Sequence, residues 1–409
     1  MGLTAKEKRS AIKVTAPRYQ KAAKKQKGII LDEFVALTGY ERDYAAAVLR
    51  MQGKRVHIGK RRVLVADITK TCRKPRHGLY DGLVISALIA IWYIMDCICG
   101  KRLAPMLKDI VPVLEKHHEI QLDKGTRTKL LSISAATIDR LLKPERKKHT
   151  LKGRSHTKPG TLLKHQIPIR TFAQWDEKKP GFVEIDLVGH DGGDPSGEFA
   201  QTLNVTDIAT AWTENQAVKN KAQHWVFEAL TDIRDRLPFA LLGIDSDNGA
   251  EFINNHLYRY CKEEEITFTR ARSSRKNDNC FVEQKNYSVV RRAVGYMRHD
   301  TLQELEILNE LYKYLRLYSN FFQPVMKLVS KTRHGAKVHR VYDIAQTPYQ
   351  RVLRSGLINE DSKVQLNSTY THLNPVRLLK QINDNVECLW QLRERHPREK
   401  ILLTKESAR

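Results

Sequence analysis

The order of elements predicted between residues 182 and 297 constrains the fold of this chain more than any other feature. Three short runs read as consecutive strands joined by turn residues: FVEIDLVG (182–189), EFAQTLNVTD (198–207) and ATAWTENQAVK (209–219). The pattern then predicts a helix over 221–236, a buried strand over 239–244, a helix over 250–265, a short strand over 266–270 and a helix over 279–297. An antiparallel meander followed by alternating helices and strands indicates an α/β domain with a mixed sheet.

Three acidic residues lie where such a sheet could bring them together. Asp186 is flanked by Ile185 and Leu187 inside the first strand, which is a costly place for a carboxylate unless it is paired or bound to a cation. Asp247 follows the buried strand, and Glu283 lies on the last helix, with 35 residues between these two acids. Oxygen ligands of this kind are typical of a divalent-metal site for phosphoryl transfer.

Other acids compete for these assignments. Glu184 lies on the same strand face as Asp186, because strand side chains repeat every two residues, and Asp245 precedes Asp247 by two. Any one acid alone is more often a solvated or structural group. In the glycine-rich segment HDGGDPSG, His190, Asp191 and Asp194 read as turn residues.

The charge balance points to a polyanionic partner. Lys and Arg total 71 against 46 Asp and Glu, a formal net charge of +25, which makes nucleic acid the first candidate. The six cysteines show neither metal-site spacing nor a disulfide ladder. The longest charge-free run, 82–95, has 14 residues, too few to cross a bilayer, and it reads as a buried helix. We therefore expect a cytoplasmic protein with no membrane contact.

Helix pairs are predicted in the N-terminal half. Residues 1–30 carry nine Lys or Arg and one acid, which fits either a solvated tail or an arm that grips phosphates. From residue 29, helical periodicity is broken by a turn at Gly39, and a second such pair covers 126–143 with Ser134 as helix cap. Both pairs fit DNA-binding helix-turn-helix units, although other helical hairpins share the pattern.

The chain is thus expected to have five parts. They are a basic arm with the first helix-turn-helix (1–75), a helical region punctuated by Pro105 and Pro112 and carrying the second (76–143), a basic linker (144–175), the catalytic core (176–300) and a mainly helical C-terminal region (301–409). The last part contains a basic patch, SKTRHGAKVHR (330–340), which fits DNA contact, multimerisation or packing against the core.

The segment 180–300 resembles the catalytic core of the retroviral-integrase superfamily of transposases, the D,D-35-E group with a ribonuclease H-like fold. The resemblance rests on VEIDLV around Asp186, DSDNGAEF around Asp247 and SRKNDNCFVEQKNYSVVRR around Glu283. The flanks RYQKAAKKQKGIILDEFVALTGYERDYAAAVL, LYKYLRLYSNFFQPVMKL and TPYQRVL resemble bacterial insertion-sequence transposases of the ISNCY-like type.

This resemblance implies a fold, a site and a reaction. The fold is an N-terminal all-α region, a ribonuclease H-like α/β core built on a mixed five-stranded sheet with flanking helices, and a mainly helical C-terminal region. Asp186, Asp247 and Glu283 become catalytic ligands of two Mg²⁺ (or Mn²⁺) ions that support cleavage at transposon ends and strand transfer into target DNA. A nuclease without strand transfer and a non-catalytic DNA-binding protein are the alternatives.

The implied partners are double-stranded DNA, as terminal inverted repeats and target, and further copies of the chain in a dimer or larger assembly. A bacterial, nucleoid-associated location would follow. The expected DNA contacts are Asn279, Asn286, Arg291, Arg292, Arg272 and Lys276 in the core, and Arg42 and Arg50 in the first helix-turn-helix.

Overall fold

The computed structural model describes residues 3–58, 62–69, 79–148, 179–247, 249, 251–252, 254–270 and 280–395. The chain divides into two compact units, one ending at Leu79 and the other beginning at Tyr80. Most of the predicted basic linker, residues 149–175, lies outside the described residues. Across the described ranges, no helix is long and apolar enough to cross a membrane.

The first unit consists of helices α1 (Ala5–Lys21), α2 (Lys24–Thr38) and α3 (Arg42–Met51), followed by the hairpin β1 (Arg55–Ile58) and β2 (Arg62–Val65). The basic N-terminal segment is not a solvated tail, and that expectation was wrong, whereas contact of its cations with phosphates stays a prediction. It forms α1, because Ile12 and Ala16 supply one apolar stripe that is buried against Phe34 and Leu49 while the cations lie on other faces.

The turn between α2 and α3 depends on one glycine. Gly39 adopts a φ of +66°, and its N–H donates to the carbonyl of Val35 over 2.8 Å, which ends α2. Two helices joined at this turn agree with the predicted pattern, except that α2 begins at Lys24 and not at residue 29. A DNA-reading role for them stays a prediction.

The second unit opens with five helices: α4 (Gly82–Ile94), α5 (Gly100–Lys116), α6 (Lys124–Ser132), α7 (Ala135–Leu141) and α8 (Lys143–Lys148). Ser134 caps α7, as predicted, by accepting from the N–H of Thr137 over 3.3 Å. Pro105 and Pro112, which were expected to punctuate the helices of this region, both lie inside α5. Each removes one intrahelical hydrogen bond, and burial of the apolar face of α5 offsets that loss.

The predicted mixed five-stranded sheet is confirmed. It contains β3 (Phe182–Gly189), β4 (Gln201–Asp207), β5 (Thr213–Val218), β6 (Gly243–Ser246) and β7 (Thr267–Arg270), in the spatial order β5-β4-β3-β6-β7. β3, β4 and β5 are antiparallel neighbours, whereas β6 runs parallel to both β3 and β7. β6 begins four residues later than the predicted strand, because its partner β3 begins at Phe182, opposite Gly243.

Helices flank this sheet as expected. They are α9 (Gln223–Arg236), α10 (Asn255–Glu263), α11 (Cys280–Lys285) and α12 (Arg292–Val294), with one π-helical segment, Asn286–Arg291, joining the last two. The sheet and helices enclose a buried apolar cluster that includes Ile185, Leu203, Ile233, Ile244 and Phe252. The helix predicted as continuous over 279–297 changes after Lys285 to the π-helical segment Asn286–Arg291.

The C-terminal region contains α13 (Leu302–Phe322), β8 (Leu328–His334), β9 (Lys337–Tyr342), α14 (Pro348–Arg354), α15 (Glu360–His372) and α16 (Pro375–Arg395). Leu311 and Phe322 of α13 share one buried cluster with Leu88 and Leu107 of the opening helices. The basic patch 330–340 is not helical. It forms an antiparallel hairpin, because Gly335 takes a φ of +59° at the first position of a two-residue turn.

Candidate active site

Two pairs of acids face each other across the parallel strands β3 and β6. Glu184 is opposite Asp245, and Ile185 is opposite Ser246. Asp186 and Asp247 are the next residues along the two chains, directly after the last β3–β6 pair, so they lie at the carboxyl end of β6. The sheet thus carries a deep row of acids, Glu184 and Asp245, and an outer row, Asp186 and Asp247.

The outer row is electrostatically strained. Burial raises the pKa of Asp186 to about 7, and the negative charges of Asp247 and Glu283 contribute to the increase. Burial also raises the pKa of Asp247, while a hydrogen bond from the N–H of Gly249 over 2.8 Å opposes that shift. The charges of both Asp247 and Glu283 therefore act on Asp186.

An asparagine pair orients the first acid. Asn286 Nδ2 donates to Asp186 Oδ2 over 2.6 Å, and Asn286 Oδ1 accepts from Asn204 Nδ2 over 2.7 Å. Asn204 lies on β4 directly opposite Asp186. Because Asn286 is the first residue of the π-helical segment, the irregular turn is what presents its amide to β3. Sequence reasoning singled out Asn286 but missed Asn204, which only the β3–β4 register connects to the site.

Glu283 is exposed in the first turn of α11, and a deeper acid fixes the start of that helix. The N–H of Val282 donates to Glu184 Oε2 over 2.7 Å. Glu184 is fully buried, burial raises its pKa well above the usual range, and its Oε1 has no hydrogen-bond partner among the described residues. Asp245 is also buried and accepts a hydrogen bond from Thr269. Glu184 and Asp245 are therefore buried below the outer row, where they accept hydrogen bonds from the N–H of Val282 and from Thr269.

Two residues around the site differ from what the sequence suggested. His190 is not a turn residue: it is fully buried and lies 2.7 Å from the Thr202 hydroxyl, measured from Nε2 to Oγ1. Lys285, two residues after Glu283, was not predicted to matter. It is buried, and burial together with the positive charge of Arg102 lowers its pKa to about 7.

The donor atoms at the site suit a hard divalent cation, since they are carboxylate oxygens. Burial is the main cause of the raised pKa of Asp186, and a cation bound beside Asp186 would offset both that cost and the smaller repulsion from Asp247 and Glu283. As their side chains lie, the described residues contain no closed group of three or more His, Cys, Asp or Glu around one metal position. The residues therefore fit a divalent cation by the chemistry of their donor atoms.

Several expected DNA contacts are instead bound to protein groups. Arg291 Nη2 donates to the carbonyl of Gly189 over 2.8 Å, and Arg292 pairs with Asp96 over 2.6 Å. In the first unit, Arg42 forms an ion pair with Asp32, whereas Arg50 is exposed at the end of α3. The expected contacts Asn279, Arg272 and Lys276 lie outside the described residues. DNA contact by this set stays a prediction.

Comparison with known proteins identifies one sequence relative and a set of solved structures. The chain is 39% identical over 334 residues to the uncharacterized protein y4rM of Sinorhizobium fredii, a match that covers 82% of this chain and 91% of y4rM. No protein-family profile matches the chain.

Two of the solved structures are integrase catalytic cores, and both match with low sequence identity and a low TM-score. The catalytic core domain of BIV integrase matches at 17% identity with a TM-score of 0.30, covering 43% of this chain and 95% of that domain. The HTLV-2 integrase catalytic core, in a dimeric form in complex with magnesium, matches at 14% identity with a TM-score of 0.28, covering 36% and 90% respectively.

Proposed function

The chain belongs to the same protein family as the uncharacterized protein y4rM of Sinorhizobium fredii, and we propose that it is a DNA transposase with a ribonuclease H-like, integrase-type catalytic core. In this proposal the chain cleaves phosphodiester bonds at the ends of a mobile element and joins those ends to target DNA. The observation that carries it is the parallel pairing of β3 with β6, which brings Asp186 and Asp247 side by side at one edge of the mixed sheet, while Glu184 of β3 accepts from the N–H of Val282, next to Glu283.

The proposed catalytic residues are the three outer acids, which would hold two Mg²⁺ or Mn²⁺ ions. Bound ions of this kind lower the pKa of an attacking water and neutralise charge on the leaving oxygen. Asn286 keeps Asp186 in one orientation, and Glu184 keeps α11, and with it Glu283, at a set position relative to β3. The same site would serve cleavage and joining, since each is an in-line attack by an oxygen on a phosphodiester.

The rest of the chain supports a DNA substrate through its charge. A net charge of +25 favours binding to a polyanion, and side chains that reach base edges are needed to identify a sequence. We assign that reading to α2 and α3 and to α6 and α7, the two predicted helix-turn-helix units. Because two element ends must be joined together, we propose a dimer or larger assembly on DNA, in a bacterial nucleoid.

Strand transfer into a plasmid tests this function. We expect the purified chain, given duplex DNA that carries the ends of its own element and Mg²⁺ or Mn²⁺, to cleave those ends and join them to the plasmid. Asp247→Asn and Glu283→Gln should abolish both products and retain DNA binding. The matched controls Asp235→Asn and Glu228→Gln, both on exposed positions of α9, should behave like the unmodified chain.

The other outcomes decide between functions. Metal-dependent cleavage that never yields joined products would identify a nuclease, and binding with neither reaction would identify a non-catalytic DNA-binding protein. Either result would overturn the transposase proposal. Imperfect inverted repeats bordered by short direct duplications around the coding region would support it independently.

A further inference from the structure

The hairpin β8–β9 extends from the second unit with its side chains in solvent. Every residue of β8 is exposed, and so are the described side chains of β9. A two-stranded ribbon is marginally stable by itself in water, so this one depends on how its base is held.

The base of the hairpin is fastened to the catalytic half of the unit. The N–H of Lys327 donates to the Asp343 carboxylate over 2.7 Å, and Asp343 forms an ion pair with Arg351 over 2.7 Å. The Lys327 ammonium donates to the carbonyls of Ile208 and Ala209, just beyond β4, over 2.5 and 2.7 Å. The ribbon is therefore held at its base, next to the end of β4, and among the described residues its side chains are exposed along its length.

The free part carries unneutralised positive charge on one face. Lys331 lies directly opposite Arg340, and Arg333 is two residues further along the same face. No acid occurs between residues 328 and 342. Within the described part of the chain, none of these three cations forms an ion pair. Like charges opposite one another destabilise a ribbon, so this pair has a cost in the isolated protein that a polyanion would remove.

We propose that the hairpin β8–β9 is a duplex-DNA-binding ribbon, with Lys331, Arg333 and Arg340 directed at backbone phosphates. The proposal rests on the DNA-acting function above and adds a contact surface made of residues other than the catalytic acids and the helix pairs. A two-stranded ribbon has dimensions that fit the major groove, and cations at regular spacing along one face match a line of phosphates. Exposed Val338, Val341 and Tyr342 could instead serve a protein partner, and the test separates that outcome.

The experiment is a salt titration of DNA binding by the full chain, in a chelator so that no cleavage occurs. The double variant Lys331→Gln/Arg340→Gln is compared with Lys108→Gln/Arg377→Gln, which removes one exposed Lys and one exposed Arg from α5 and α16. Each lost phosphate contact lowers the slope of log affinity against log salt by about 0.9. The hairpin variant should therefore lose about 2 from that slope, whereas the control variant should keep it.

Between about 50 and 200 mM salt, the affinity of the unmodified chain should fall about tenfold more than that of the hairpin variant. The hairpin variant should melt at an unchanged or higher temperature, because it loses a like-charge pair. An unchanged slope would overturn the proposal, as would an equal loss in the control. A changed sedimentation coefficient with an unchanged slope would also overturn it and would identify a protein interface.

These outcomes are distinct from failure of the proposed function. If the chain binds DNA through the hairpin yet never cleaves or joins it, the proposal for the hairpin stands and the transposase proposal is overturned. If the chain joins DNA but the hairpin variant keeps the salt slope of the unmodified chain, the transposase proposal stands and the DNA-binding hairpin is overturned.

Discussion

The side-chain amide of Asn286 donates a hydrogen bond to Asp186, with 2.6 Å between Asn286 Nδ2 and Asp186 Oδ2, and Asn204 orients that amide from the other side. We predict that Asn204→Ala weakens Mn²⁺ binding and the cleavage rate by about 10- to 100-fold, as losses of such supporting contacts typically do. The affinity for DNA should change little. Titration calorimetry with Mn²⁺ and single-turnover cleavage measure the two effects.

Asn215→Ala is the matched control for that variant. Asn215 lies opposite Asn204 on β5, is buried, and has no hydrogen-bond partner for its side chain among the described residues. Its replacement should leave Mn²⁺ affinity unchanged. Equal effects of the two alanine variants would show that Asn204 acts through packing and not by orienting Asn286.

Asp186 should destabilise the fold in the absence of metal. Its pKa of about 7 lies above the ordinary 3.8, so the folded chain holds this proton more tightly than the unfolded chain does. The associated stability is present below about pH 4 and is lost as the pH rises to about 7. In chelator at about pH 8, Asp186→Asn should therefore raise the free energy of unfolding by about 2 to 4 kcal/mol.

Urea unfolding at several pH values checks this expectation. The advantage of Asp186→Asn should shrink as the pH falls from about 7 toward 4, and added Mg²⁺ should stabilise only the unmodified chain. A variant that is less stable than the unmodified chain throughout this range would show that the acid contributes to the fold and carries no strain.

His190 should make the fold sensitive to acid. Burial, together with the neighbouring His299, lowers its pKa from 6.5 to about 3, so protonation is unfavourable in the folded chain. The stability linked to His190 is present above about pH 6.5 and is lost as the pH falls toward 3. His190→Gln should be less stable near neutrality, but the gap should narrow by about 1.4 kcal/mol per pH unit between about pH 6.5 and 4.5. A gap that stays constant across this range would contradict the assignment.

Two glycines of the first unit should respond to alanine in opposite ways. Gly39 has a φ of +66° and open space at its Cβ position, so Gly39→Ala should cost about 1 kcal/mol of stability through backbone strain alone. Gly28 lies inside α2, also with open space, and Gly28→Ala should stabilise by about 0.5 to 1 kcal/mol. Thermal unfolding measures both. A neutral Gly39→Ala would mean that the turn does not depend on the left-handed conformation.

The parts of the fold that sequence reasoning predicted are those with a strong local pattern. The meander of β3, β4 and β5 shows period-two alternation between turn residues, and Asp186 is conspicuous as an acid between Ile185 and Leu187. Asp247 directly follows β6, which the order of elements assigns to the same sheet as β3, whereas a shared site with Glu283 stays a prediction. These features need no knowledge of long-range contacts.

The missed parts depend on contacts between distant segments. Nothing local distinguishes Asn204 from other polar strand residues, since only the register with Asp186 gives it a role. Counting cations in residues 1–30 hid the Ile12 and Ala16 stripe that makes α1 a packed helix. The hairpin β8–β9 carries too many exposed cations to show the alternation of apolar and polar residues that predicts a strand. The start of β6 is fixed by its pairing with β3, which begins at Phe182 opposite Gly243.

The central claim, that Asp186, Asp247 and Glu283 serve one divalent-cation site, is tested most directly by Mn²⁺ binding to the full chain, followed by electron paramagnetic resonance. We predict saturable binding by the unmodified chain, and a loss of about tenfold or more in affinity for each of Asp186→Asn, Asp247→Asn and Glu283→Gln. The control Glu228→Gln should bind like the unmodified chain. Unchanged Mn²⁺ affinity in Glu283→Gln would contradict the account, because the third acid would then lie outside the site.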